Sequence, residues 1–177
     1  DRNYFGAWLS GFSDGEGSFV LRQDDRVYKG GCRCTVSSAT FEITLRQDDL
    51  DILLLIRSFL GCGTILLSVK APKKFPNAKP RAVFKVSKVH NLADFVIPHF
   101  DAFPLFAKKK NDYAIWKEAI LLAYEVVRRP IVAVGGGYGG ITGTMPRWKE
   151  DEIRKFAALS ADLKRVREYR TKEISVT

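Results

Sequence analysis

Apolar residues set the rhythm of this chain, and the rhythm changes several times along it. Up to Phe12, small and apolar residues recur with helical spacing, and Ala7 and Gly11 stand four apart on one face. At Ser18-Phe19-Val20-Leu21 the pattern becomes strand-like. In Thr40-Phe41-Glu42-Ile43-Thr44-Leu45 it alternates strictly, with Phe41, Ile43 and Leu45 on one side, as in a half-buried antiparallel strand. The turn between these two strands is expected within Asp24 to Gly31. Helical spacing returns at Leu50, Leu53, Leu54 and Ile56, with Asp48 or Asp49 as the cap and Gly61 as the stop.

Gly63 to Val69 and Arg81 to Ser87 predict a second hairpin around a loop rich in lysine and proline. Asn91 opens a short helix carrying Leu92, Phe95 and Val96, and Pro98 is expected to end it. Tyr113, Trp116, Ile120 and Tyr124 mark a longer helix from about Lys110 to Arg128, stopped by Pro130. The glycine-rich stretch 135–143 reads as loop. A last helix, about Trp148 to Lys172, carries Ile153, Phe156, Ala157, Leu163 and Val166. The order is α-β-β-α-β-β-α with further helices, an α+β chain. It is expected to form a single domain over 1–177, with a core at about 4–128 and a helical extension at about 146–173.

The chemistry concentrates where the first helix gives way to the first strand. Asp14-Gly15-Glu16-Gly17 fixes a carboxylate at that junction, between two glycines that let other backbone approach. Ala7, Ser10 and Gly11 are small, so a helix of this kind can pack tightly against an equivalent one. Two such helices side by side place two acidic ends together, an arrangement suited to hard divalent cations.

Charge narrows the partners. The 177 residues hold 29 Lys+Arg and 20 Asp+Glu, a net charge of +9, which points to an anionic partner. Between Ile52 and Ala93 there is no acidic residue but eight basic ones, among them Lys70, Lys73, Lys74, Arg81 and Lys85. In the second hairpin Arg81, Val83 and Lys85 alternate with Ala82, Phe84 and Val86, so one face is partly basic. A two-stranded ribbon fits the major groove of DNA. Base-reading positions are expected at Ser18, Val20 and Arg22 and at Ser38, Thr40 and Glu42, with Arg81 and Lys85 on the second hairpin and phosphate contacts from Lys70, Lys73 and Lys74. No apolar run is long enough to span a membrane, and no membrane partner is expected. The three cysteines, Cys32, Cys34 and Cys62, make neither a disulfide framework nor a zinc site, and are expected to be reduced thiols of an intracellular protein. The chain opens on Asp rather than Met, as expected of a trimmed start.

Leu9-Ser10-Gly11-Phe12-Ser13-Asp14-Gly15-Glu16-Gly17-Ser18 resembles the LAGLIDADG motif of the homing endonucleases. Phe41-Glu42-Ile43-Thr44 with Asp49-Leu50 and Gly61-Cys62-Gly63, and Phe103-Pro104-Leu105 with Lys108-Lys109-Lys110 and Asp112-Tyr113, resemble its downstream segments, in order. The resemblance implies a saddle-shaped antiparallel sheet lying on double-stranded DNA. It implies Glu16 as the metal ligand and the Gly15 carbonyl as a second. Magnesium is the implied ion, with manganese or calcium able to substitute in binding. It implies a basic residue at the scissile phosphate, taken as Lys108, and a water-positioning polar residue. Leu45 stands at that last place, so Gln47 is the substitute assignment. With one motif per chain, it implies a homodimer packed through Ala7, Ser10 and Gly11, cutting a long pseudo-palindromic site.

The alternatives are an intron maturase that binds RNA, and a DNA-binding regulator that has lost cleavage. The expected setting is an organelle, mitochondrion or chloroplast, or a microbial or archaeal cytoplasm.

Overall fold

The computed structural model describes residues 1–27, 33–68, 79–129 and 148–173. Helix α1 (Arg2–Glu16) runs directly into strand β1 (Gly17–Val27), which returns as β2 (Arg33–Arg46). A 3-10 turn (Gln47–Asp49) leads into α2 (Leu50–Leu60), followed by the hairpin β3 (Thr64–Ser68) and β4 (Arg81–Val86). Helical turns α3 (Val89–Asn91) and α4 (Ile97–Ala102) flank a π turn, Leu92–Val96. The long helices α5 (Lys109–Arg128) and α6 (Glu150–Glu173) complete the described structure. The sheet has the order β1-β2-β4-β3, with all neighbours antiparallel.

Alternation along the strands decides which sheet face the helices cover. Phe19, Leu21, Ala39, Phe41, Ile43, Ala82, Phe84 and Val86 are all buried on that face. Phe19 sits at the centre, its ring centroid 5.2 Å from Phe41, 5.3 Å from Phe100 and 5.1 Å from Trp116. Each such pair contributes about 0.5–1.5 kcal/mol beyond the area it buries. The Trp116 indole N–H donates to the Thr40 carbonyl at 3.1 Å, which pins α5 to the sheet.

Several sequence expectations need correction. The expected turn window opens too early: Asp24 pairs with Val36 and Val27 with Arg33, so 24–27 is strand, and the rest of the window, 28–31, lies outside the described residues. Neither Asp48 nor Asp49 caps α2 with its side chain; Asp48 is bound by Arg46 instead. Leu54 is 41% exposed, because α2 buries only the stripe Leu53, Ile56 and Leu60. Gly61 does stop α2, in the left-handed region at φ 70°. Pro98 does not end its helix. Its missing N–H and its ring disturb the turn before it, where the bonding widens to the π turn, and the helix continues to Ala102.

Helix α6 is fastened to the core rather than appended to it. Arg129 and Glu152 form an ion pair at its start, and Glu152 also accepts from the Lys149 backbone N–H at 2.9 Å. Gln23 donates to the Ile153 carbonyl at 3.1 Å. Further along, Arg167 donates to Asp112 at 3.2 Å and to the Phe19 carbonyl at 2.5 Å.

His99 is buried on α4 among Phe59, Phe100 and Phe103. Ser10 Oγ donates to the Phe103 carbonyl at 2.6 Å, which uses its only hydrogen. The 3.3 Å bond between Ser10 Oγ and His99 Nε2 therefore runs from a protonated Nε2 to the serine oxygen. Burial pushes the imidazole pKa down to about 4, so this ring is neutral in the folded chain. The unfolded chain binds the proton near pH 6.5. Stability is thus fully present above pH 6.5 and is lost as pH falls toward 4. Thermal unfolding should show wild type losing more Tm between pH 6.5 and 4 than His99→Leu does. Equal slopes would mean that His99 does not carry this pH dependence.

Candidate active site and nucleic-acid face

Helix α1 has two faces. Gly6, Leu9, Ser10 and Ser13 are buried in the chain's own core. A Cβ on Gly6 would lie 2.5 Å from the Phe103 ring, so that close approach requires glycine. Tyr4, Ala7, Gly11 and Gly15 are exposed on the opposite side, and a Cβ at Gly11 or Gly15 would meet nothing within 4 Å. Ser10 is therefore corrected out of the predicted dimer face. It is 3% exposed and occupied by His99 and Phe103, whereas Ala7 and Gly11 do lie on the open side.

The end of α1 is tied to the start of α5. Asp14 Oδ2 accepts from the backbone N–H groups of Phe106 and Ala107 at 2.9 and 3.1 Å. Lys109 Nζ reaches back to the carbonyls of Ser13 and Gly15, both at 3.1 Å. Burial lowers the Lys109 pKa, and Asp112, Asp14 and Glu16 oppose that by favouring the charged form. Lys109, the neighbour of the expected Lys108, thus reaches the motif with its ammonium, while Lys108 is exposed. Gln47 opens the 3-10 turn that follows β2. Its backbone N–H bonds to the Pro80 carbonyl.

Glu16 is exposed at the helix–strand junction. Next to it, Asp14 Oδ1 and Ser13 Oγ are buried without a hydrogen-bond partner. With Glu16 and the Gly15 carbonyl, the donors gathered here are oxygens only, which fits a hard divalent cation. Among the described residues no group of three or more His, Cys, Asp or Glu side chains stands ready to hold a metal. The chain's contribution thus fits as part of a site that another set of oxygens completes.

The uncovered sheet face collects the expected base readers. Ser18 pairs with Glu42, Val20 with Thr40 and Arg22 with Ser38, and Glu42 pairs in turn with Lys85. A hollow on this face is lined by Val20, Arg22, Ser38, Thr40, Lys85 and Ser87. Lys85 Nζ lies 2.8 Å from Glu42, and the Thr40 hydroxyl donates to the same carboxylate at 2.8 Å. Burial alone would push the Glu42 carboxyl up; the bonds from Lys85 and Thr40 outweigh it and hold the pKa below its ordinary value. Arg81 is exposed on the same face. Lys70, Lys73 and Lys74, the glycine-rich stretch 135–143 and Cys32 lie outside the described residues. Among the described residues no helix is long and apolar enough to cross a membrane.

The family profile for LAGLIDADG endonucleases matches residues 9–120. The chain belongs to the LAGLIDADG endonuclease family. Among its relatives are an uncharacterised 50.9 kDa protein in ND4 intron 1 of Podospora anserina, 32% identical over 65% of this chain and 23% of its own length, and homing endonuclease I-ApeII of Aeropyrum pernix, 30% identical over 64% and 61%. A probable intron-encoded endonuclease of Neurospora crassa is 31% identical over 67% of this chain and 24% of its own length. The chain thus spans about a quarter of the first curated relatives it matches. In fold it is similar to I-SmaMI bound to an uncleaved DNA target in the presence of calcium ions, with TM-score 0.66 and 22% identity over 90% of this chain and 45% of that one. It is also similar to the meganuclease I-CpaMI bound to uncleaved DNA, at TM-score 0.55 and 28% identity over 68% and 37%. The LAGLIDADG fold expected from the motif order is the one the chain has.

Two backbone amides rest on Asp14, and hydrogen bonds to a charged partner contribute about 1.5–3 kcal/mol each. Asp14→Asn should lower unfolding stability by about 1–3 kcal/mol in denaturant titration, because it weakens the link that places Lys109. An unchanged midpoint would mean that the α1–α5 junction is held by other contacts.

Proposed function

We propose that this chain is the DNA-cleaving unit of a homing endonuclease, hydrolysing phosphodiester bonds at a long pseudo-palindromic site. The observation that carries the proposal is exposed Glu16 in the electrostatic reach of Lys109, whose ammonium donates to the Gly15 carbonyl at the α1–β1 junction, two residues before the open sheet face begins at Ser18. A divalent ion, for which magnesium is our choice, would supply charge neutralisation and an activated water. Glu16 and the Gly15 carbonyl would hold that ion. Lys109 would place positive charge beside the scissile phosphate, its ammonium already oriented by two carbonyls. The strands would lie in the major groove, where Arg22 and Arg81 bring cationic groups and Ser18, Ser38 and Thr40 bring hydroxyls for base edges. The names of the relatives support expression from an intron, two of them in Podospora anserina and Neurospora crassa.

A cleavage screen over a randomised site library, with and without magnesium, tests the activity and yields the target together. Glu16→Gln keeps the shape of the side chain and removes the anionic ligand. It should abolish cleavage while DNA affinity falls by less than about tenfold, or 1.4 kcal/mol. A fully active Glu16→Gln protein would sink the ligand assignment.

A second copy of this chain is our choice for the other half of the site. The α1 face of Tyr4, Ala7, Gly11 and Gly15 is open, and Phe106 beside it is 88% exposed. Two-fold pairing is also the commonest closed symmetry of soluble oligomers. Gly11→Leu finds open space within one chain, so folding alone should tolerate it. In sedimentation, the variant should lose the dimer and cleavage together while its Tm stays within a few degrees of wild type. A wild type that cuts both strands as a monomer would refute the pairing.

A further inference from the structure

On the open sheet face one row places two apolar side chains side by side, and that row has a specific counterpart in DNA. Strand pairing sets the rows, because directly opposed residues project on the same side. One row runs Glu42, Lys85, Thr64. Two positions along, another runs Arg46, Arg81, Ser68. Between them lies Thr44, Val83, Leu66. Leu66 is 51% exposed and Val83 is half-buried, so two branched apolar side chains meet on a surface bordered on both sides by charge. Their burial partner does not come from the core, which lies on the opposite face with Ala82, Phe84 and Ile65.

In the major groove each base edge is a set of hydrogen-bonding atoms, and thymine alone adds an apolar group, its C5 methyl. We propose that Leu66 and Val83 form a subsite for thymine methyl groups, which makes this row a determinant of which target the chain accepts. The occupant follows from position. The flanking arginines and lysine of the same face draw the row onto the phosphate-lined groove, and what an apolar side chain meets there is a methyl. Thr44 at the end of the row fits the same reading, since its own methyl packs on thymine while its hydroxyl can serve either base type.

This inference rests on the proposed DNA cleavage, and the test separates the two. With a target recovered from the library screen, each thymine is replaced in turn by deoxyuridine, which removes only the methyl. Affinity for the uncleaved duplex is then measured in calcium. Wild type should bind about fourfold more weakly at one or two positions of a half-site, the effect of one methyl at about 0.8 kcal/mol. In Leu66→Gln, and separately in Val83→Ser, which carries no methyl, that difference should shrink toward unity at those positions and persist elsewhere. A wild type that binds and cuts its target yet ignores every thymine-to-deoxyuridine change overturns the subsite and leaves the endonuclease reading standing. Sensitivity that survives unchanged in both variants does the same. A wild type that binds no DNA in the screen removes the reading and the subsite together.

Discussion

The bond pattern between the end of α1 and the start of α5 is the constraint on which the site depends. Asp14 holds two backbone N–H groups of the segment before α5, and Lys109 returns the link by donating to two carbonyls of α1. The two segments lie more than 90 residues apart in sequence, yet four hydrogen bonds fix their separation. Without that link Lys109 would not be held beside Glu16. With it, an acid and a base share one junction, and the Lys109 charge is held there against the cost of partial burial.

The same helix has to satisfy two demands, and its composition shows how they are met. Its inner face needs close approach, supplied by Gly6 against Phe103 and by Ser10 against His99 and the Phe103 carbonyl. Its outer face needs to stay open, supplied by Ala7, Gly11 and Gly15. Small residues serve both faces, so the sequence alone did not separate them. Ser10 belongs to the inner set because its hydroxyl has buried partners, a fact that only the fold reveals.

Much of the fold was legible because the physics that builds it is local and periodic. Arg81 to Val86 alternates in the sequence and alternates in burial, and Gly61 stops α2 as its position suggested. The motif at α1 and the basic segment before α5 also appear where their spacing placed them. Misreadings occurred where a rule of local chemistry met a tertiary override. Asp24 to Val27 looked like a turn because it is polar, but it forms a ribbon in which Thr35 donates to Asp25 at 2.7 Å. Pro98 looked like a terminator, but a π turn absorbs its missing N–H. Of the three consecutive lysines, the sequence alone did not show that Lys109 would bond to the motif's carbonyls. Successive residues of a helix differ by about 100° in direction, a difference that a run of identical residues does not display.

The contribution of α6 shows why the family's core segment is not the whole argument. The profile match ends at 120, yet Arg167 binds Asp112, in the first turn of α5, and the carbonyl of Phe19, on the strand that follows Glu16. Asp112 is nearly fully buried, and an isolated carboxylate there would be costly. Arg167 supplies its counter-charge from the far end of the chain, so α6 stabilises the same turn of α5 that carries Lys109. Reach to the site therefore runs along two routes: a direct one from Asp14 and Lys109 within the core, and an indirect one from α6 through Asp112. A truncation before α6 would leave the motif, the sheet and Lys109 in the sequence, but would remove Arg167, one of the cations that favour the buried Asp112 carboxylate.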